Sequence, residues 1–133
     1  MQLVVDTSFW VDFTRQRLPD AEALLVEDAL REQRVIMPQM VWLELVVGFR
    51  SPAEQAFLQE LRSVCHWEPL TESVGLEAEQ LAAMLRKKGV VLVATDLLIL
   101  TTAQRLGAAL LHHDGDFTRA LKLPEFVRLR VEL

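Results

Sequence analysis

Four acidic residues stand where the sequence gives a charge little access to water. Asp96 is the only charged residue between Lys88 and Arg105, with residues 90–94 apolar before it and Leu97, Leu98, Ile99 and Leu100 after it. Asp6 ends the run Leu3-Val4-Val5, and Glu44 interrupts Met40-Val41-Trp42-Leu43 and Leu45-Val46-Val47. Asp114 follows Ala108-Ala109-Leu110-Leu111 and the pair His112-His113, and Asp116 comes next across Gly115. Desolvating an unpaired carboxylate costs on the order of several kcal/mol, so a chain that repeats the pattern should bring something to offset the charge. A bound divalent cation is the simplest candidate.

The elements that must position these acids read as strand and helix in alternation. Residues 1–5 form a short buried strand, and Asp6-Thr7-Ser8 supplies turn and cap chemistry before a helix that begins at Phe9. Helical spacing runs over 21–33, with Ala21, Leu24, Leu25, Ala29 and Leu30 on one side. Residues 34–37 make a second strand, and Pro38 ends it or opens the next helix. The helix over 39–47 is apolar nearly all round and is expected to be buried. Ser51-Pro52 opens a helix to Val64 with Phe57, Leu58 and Leu61 inward; residues 65–70 are a short strand or extended crossing; and Thr71 or Ser73 caps a helix to Lys88.

Residues 90–94 form a fourth strand or an apolar loop. Thr95 is the expected N-cap of a helix over 96–106 that Gly107 ends. Residues 108–111 are a buried strand, 114–116 a turn, 117–121 a short helix and 126–131 a last strand. The alternation predicts an α/β fold of three layers, a central parallel sheet of four to five strands sandwiched by helices, in one domain over 1–133.

Each acid also has a plain structural role open to it. Asp6 serves equally as a helix cap, Glu44 as an ion-pair partner of Arg50, and Asp96 as a carboxylate complementing a helix dipole. The run Arg86-Lys87-Lys88 suits a helix C-terminus or a phosphate backbone. Cys65 and His66 read as packing residues. In combination the acids point further. The carboxyl ends of parallel strands share one edge, so Asp6 and Asp114 converge there, and Asp96 and Glu44 face the same cleft from their helices. Carboxylates so placed raise one another's pKa values and titrate as a coupled set. An all-oxygen donor set matches Mg²⁺ or Mn²⁺, ions that activate water and stabilise in-line displacement at phosphorus.

Composition narrows the classes. The chain has 133 residues, 51% hydrophobic and 25% charged, which excludes disorder. A net charge of −5 argues against a protein that coats nucleic acid by charge alone, while leaving a nuclease with an acidic metal site open. One cysteine and no Cys/His cluster fit a reducing cytoplasm. No signal peptide or membrane span is read, since every long apolar run is broken by an acid or a proline.

The segments VVDTSFWVDF, PQMVWLELVVGF, DLLILTTAQRLG and LLHHDGDF, in this order, resemble the PIN-domain family, and most closely its VapC-type toxins of prokaryotic toxin–antitoxin pairs. The likeness spans nearly the whole chain. It implies a metal-dependent endoribonuclease, a homodimer, a higher-order complex with a small cognate antitoxin, and RNA as substrate. Carried over residue by residue, it makes Asp6, Glu44, Asp96 and Asp114 the catalytic acids. Asp6, Asp96 and Asp114 would be direct ligands of Mg²⁺ or Mn²⁺, and Glu44 would position or deprotonate the attacking water or bind metal through water. Asp116 would be an auxiliary acid, Ser8 and Thr7 supporting hydroxyls, and Thr102 matches a small polar position beyond Asp96.

Two features depart from the pattern. Many relatives carry Thr or Ser where His112 stands, and many carry more polar residues where residues 91–94 are apolar. The resemblance also implies an antitoxin that lays an apolar segment over exposed helices, for which Phe9, Trp10 and Trp42 are candidates if they are not core.

Three other readings compete with this one. A haloacid-dehalogenase-type phosphohydrolase would want an acid at position 8, where Ser8 stands. A receiver-like module would want adjacent acids after the first strand. A non-catalytic PIN-like domain that only binds a partner keeps all four acids and is separated by assay alone.

Overall fold

Strand β1, Leu3–Val5, is fully buried and lies inside the sheet, as its β-branched, uncharged sequence dictates. The structure is a computed structural model and describes residues 1–131. After β1 come helices α1 (Thr7–Thr14) and α2 (Asp20–Arg31), strand β2 (Val35–Pro38), and helices α3 (Gln39–Gly48) and α4 (Pro52–Val64). Strand β3 (His66–Glu68), helices α5 (Glu72–Lys87) and α6 (Ala94–Leu106), strand β4 (Ala109–Leu111), helix α7 (Gly115–Leu121) and a 3-10 helix (Pro124–Leu129) complete the order. The sheet order is β3-β2-β1-β4 and every pairing is parallel, with Leu3 opposite Val35 and Ala109, and Pro38 opposite Glu68. This is the expected sandwich, a four-stranded parallel sheet flanked by helices.

The core closes on both neighbours of β1. Val35 and Met37 of β2, Ala109 and Leu110 of β4, Ile99, Leu100 and Ala103 of α6, and Phe117 and Phe126 are all buried. Local chemistry fixes the helix ends. Ser51 and Glu54 form a reciprocal capping box at α4, Thr71 accepts the Val74 N–H at α5, and Gly107 ends α6 at φ 64°, a left-handed value that glycine adopts without a Cβ penalty. No helix is long and apolar enough to cross a membrane among the described residues.

Several expectations are corrected. Residues 126–131 are not a strand: Pro124 opens a 3-10 helix, and Phe126 and Leu129 are buried three apart while Val127 is exposed, which is helical and not alternating burial. Residues 90–93 take the loop alternative. Helix α6 begins at Ala94 with Val93 as N-cap, so Thr95 lies inside the first turn and does not cap. Helix α1 starts at Thr7, two residues before the expected Phe9.

Helix α3 is not buried all round. Leu43, Val46 and Val47 are 47%, 45% and 69% exposed, because only the side carrying Val41 and Leu45 meets the core. Phe9 and Trp10 are core residues and offer no surface to a partner; of that trio only Trp42 reaches solvent. Glu44 makes no ion pair with Arg50 among the described residues.

Candidate active site

Asp6 leaves β1 as the N-cap residue of α1, yet its carboxylate makes no side-chain cap bond. It is 5% exposed and accepts the Ser8 hydroxyl at 2.8 Å. The Asp6 backbone N–H bonds the Leu111 carbonyl at 2.9 Å and so carries the β1–β4 ladder one step past the strands. Continuing the registers by that residue sets His112, Asp6, Pro38 and Glu68 in one row along the carboxyl edge of the sheet.

Glu44 comes to this edge from α3, and the Thr7 hydroxyl donates to its Oε1 at 2.7 Å. Asp96 stands in the first turn of α6. Asp114, just beyond β4, is the N-cap of α7; one of its carboxylate oxygens accepts the Asp116 N–H at 2.7 Å.

The acids act on one another. Burial raises the Asp96 pKa to about 6, and the negative charges of Asp6, Asp114, Glu44 and Asp116 push in the same direction. Asp6 is also raised, first by desolvation; the Ser8 hydroxyl and the Thr7 backbone oppose this, and Asp114 adds to it. The structure therefore brings Asp6, Glu44, Asp114 and Asp116 close enough for their charges to reach Asp96. No Lys or Arg pairs with Asp6, Glu44, Asp96 or Asp114 among the described residues; Asp116 alone has a partner, the Arg119 guanidinium. Equally, no three His, Cys, Asp or Glu side chains are drawn together there as a ready-made ion cage. The set is acid-rich and hard-oxygen, with its charge uncompensated, and in that respect fits a divalent cation.

Of the supporting residues, Thr7 and Ser8 each hold a site carboxylate, as a supporting hydroxyl should. Thr102 does not. It is buried, and its hydroxyl is spent on the Leu98 carbonyl of its own helix at 2.9 Å.

His112, at the position where the resemblance implies a hydroxyl, acts as an acceptor: its Nδ1 takes the Asp114 N–H at 3.2 Å, which leaves the ring proton on Nε2. Burial lowers the His112 pKa, against the pull of Asp6. Sequence reading missed the tie beyond it. His113 lies against the Phe9 ring, with Nε2 2.9 Å from Glu22 and Nδ1 3.5 Å from Asp12, linking the Asp114 loop to α1 and α2. Only spatial proximity reveals this, because Asp12 and Glu22 carry no motif.

Acids gathered at the carboxyl edge of a parallel sheet stand where open α/β domains bind their ligands. The family model of the PIN domain matches residues 3–123, and the chain belongs to the PIN domain family. Among solved structures it is similar to VapBC-1 from nontypeable Haemophilus influenzae at 26% identity and a TM-score of 0.71, covering 92% of this chain and 95% of that one. It is also similar to DNA-bound VapBC from Salmonella typhimurium, at 18% identity and a TM-score of 0.75 over 99% and 97% of the two chains. A third likeness is to VapBC2 from Rickettsia felis bound to a promoter DNA fragment, at 21% identity, a TM-score of 0.71 and 94% and 95% coverage.

Proposed function

We propose that this protein is an endoribonuclease dependent on Mg²⁺ or Mn²⁺, the toxin of a VapBC-type toxin–antitoxin pair. One observation carries the proposal: carboxylates from β1, α3, α6 and the end of β4 gather without a basic partner, and the charges of Asp6, Asp114 and Glu44 add to burial in raising Asp96 to about 6. Asp6, Asp96 and Asp114 are the cation's ligands in this reading. A bound divalent ion would supply the charge that offsets theirs, lower the pKa of water and stabilise the negative charge that develops on the phosphoryl oxygens. Glu44, fixed by Thr7, orients the attacking water and takes its proton. Ser8 holds Asp6 in place, and His112 holds the backbone that presents Asp114. Asp116, already partnered by Arg119, serves as an auxiliary acid at the rim.

The partners follow from the relatives and the surface. The Haemophilus, Salmonella and Rickettsia structures are VapBC complexes, which supports a cognate antitoxin for this chain. The exposed Leu43, Val46 and Val47 of α3, with Val91 and Val93 of the loop before α6, supply apolar area for a homodimer or an antitoxin contact.

The test is incubation of total cellular RNA with the purified, antitoxin-free protein, with Mg²⁺, with Mn²⁺ and with chelator. Discrete fragments are expected only with metal, and at least a hundredfold fewer from Asp6→Asn. A folded protein that cuts nothing under any of these conditions and binds no metal by calorimetry would refute the nuclease and leave a partner-binding domain.

A further inference from the structure

The row along the carboxyl edge of the sheet does not end at the acids. At its far side, Gln39, Trp42, Arg62, Trp67, Glu68 and Pro69 line a cleft of about 380 Å³, within the size range of small-ligand pockets. Trp42 and Trp67 stand perpendicular with centroids 4.8 Å apart, and the Arg62 guanidinium lies 5.0 Å from one ring and 5.8 Å from the other. Trp67 is 42% exposed, a large aromatic left open to solvent on an edge strand. Arg62 is in no ion pair among the described residues. The cleft's polar lining is specific. The Gln39 carbonyl oxygen is taken by the Leu70 N–H at 2.8 Å, so its NH₂ is the group on offer, and Glu68 contributes a carboxylate that only accepts.

We infer that this cleft binds a base of the RNA strand beside the scissile phosphate, and that it prefers guanine. The inference rests on the ribonuclease reading for its substrate and on the cleft for its specificity. Aromatic faces with a guanidinium form the stacking platform that single-stranded nucleic acid uses, and the cation suits a polyanion. Glu68 is two strands from Asp6 in the row, ~10 Å at the usual strand spacing, within reach of a nucleotide next to the one being cut. Guanine alone among the four bases presents two adjacent donors, N1–H and the exocyclic amine, to the two oxygens of a carboxylate. The Gln39 NH₂ then meets its O6.

The experiment uses the full chain carrying Asp6→Asn, so that bound RNA stays intact. Tryptophan fluorescence and anisotropy are followed on titration with a G-containing single-stranded oligoribonucleotide, with guanosine monophosphate and with uridine monophosphate. Guanosine monophosphate should quench more strongly than uridine monophosphate, and Glu68→Gln should erase the difference. Trp67→Ala should weaken the oligonucleotide about tenfold, while Trp67→Phe keeps most of the affinity. With Asp6 restored, Trp67→Ala should raise KM for RNA and leave kcat near wild type.

Binding and cleavage unaltered in a folded Trp67→Ala protein would overturn the base site and leave the nuclease standing. If the wild type cuts no RNA, quenching by guanosine monophosphate still upholds the pocket, and its absence overturns it. A Trp67→Ala protein that changes oligomeric state but not RNA affinity marks the cleft as a protein interface, and overturns the assignment too.

Discussion

Asp96 is the residue whose charge is held most clearly against its own preference. Its pKa is raised from 3.8 to about 6, so the folded state holds the proton more tightly than the unfolded chain does. The stability this contributes is present below pH 3.8 and is lost as pH rises through about 6. Asp96→Asn removes the loss. In metal-free protein it should raise the melting temperature by about 4 °C at pH 7.5, worth on the order of 1 kcal/mol once solvent screening is allowed for, and by almost nothing at pH 4. Calorimetry at the two pH values checks this; equal shifts at both would mean that the acid is not strained. The residues around it were unevenly legible. The acids and the hydroxyls of Thr7 and Ser8 announce themselves as polar interruptions of apolar sequence. The role of His112 as acceptor and the His113 tie to Asp12 and Glu22 depend on which loops meet, and nothing local encodes that.

The elements hold because their ends are specified. Ser51→Ala breaks the capping box of α4 and should cost about 1 kcal/mol, read as a lowered midpoint in urea with an unchanged slope. A negligible change would mean that Pro52 alone sets the start of that helix. Such punctuation is why most of the described helices could be placed from spacing: Gly107, Ser51-Pro52 and Thr71 act through their nearest neighbours.

The failures share a cause as well. The tail from Phe126, expected as a strand, is instead decided by tertiary packing: the segment lies against α7, α6 and β4 with Phe126 and Leu129 buried, a spacing of three. Helix α3 misled in the opposite way. An all-apolar helix was expected to be buried, yet Leu43, Val46 and Val47 face solvent, and apolar sequence cannot tell a core from a surface kept for a partner.

For the molecule as a whole, the proposed metal site ties the stability of the isolated chain to a bound ion. Millimolar Mg²⁺ or Mn²⁺ should raise the melting temperature of the wild type, with a gain of about 2.7 kcal/mol when the ion is at a hundred times its dissociation constant. The gain should vanish in an Asp6→Asn, Asp96→Asn double variant, and scanning fluorimetry with and without chelator separates the cases. An equal gain in the double variant would place the ion elsewhere.

The central position of β1 has a consequence for how such a molecule is made. Its two neighbours in the sheet are β2, which follows soon after it, and β4, which comes only after α6. Asp6 leaves the ribosome early and waits, with one edge of β1 open, until β4 arrives carrying Asp114. Long-range parallel pairing of this kind is slow, and no partial chain can hold the full set of acids. A polypeptide able to cut RNA while still attached to its own message would endanger its own synthesis. The order of strands defers assembly of the proposed site until β4 has been made.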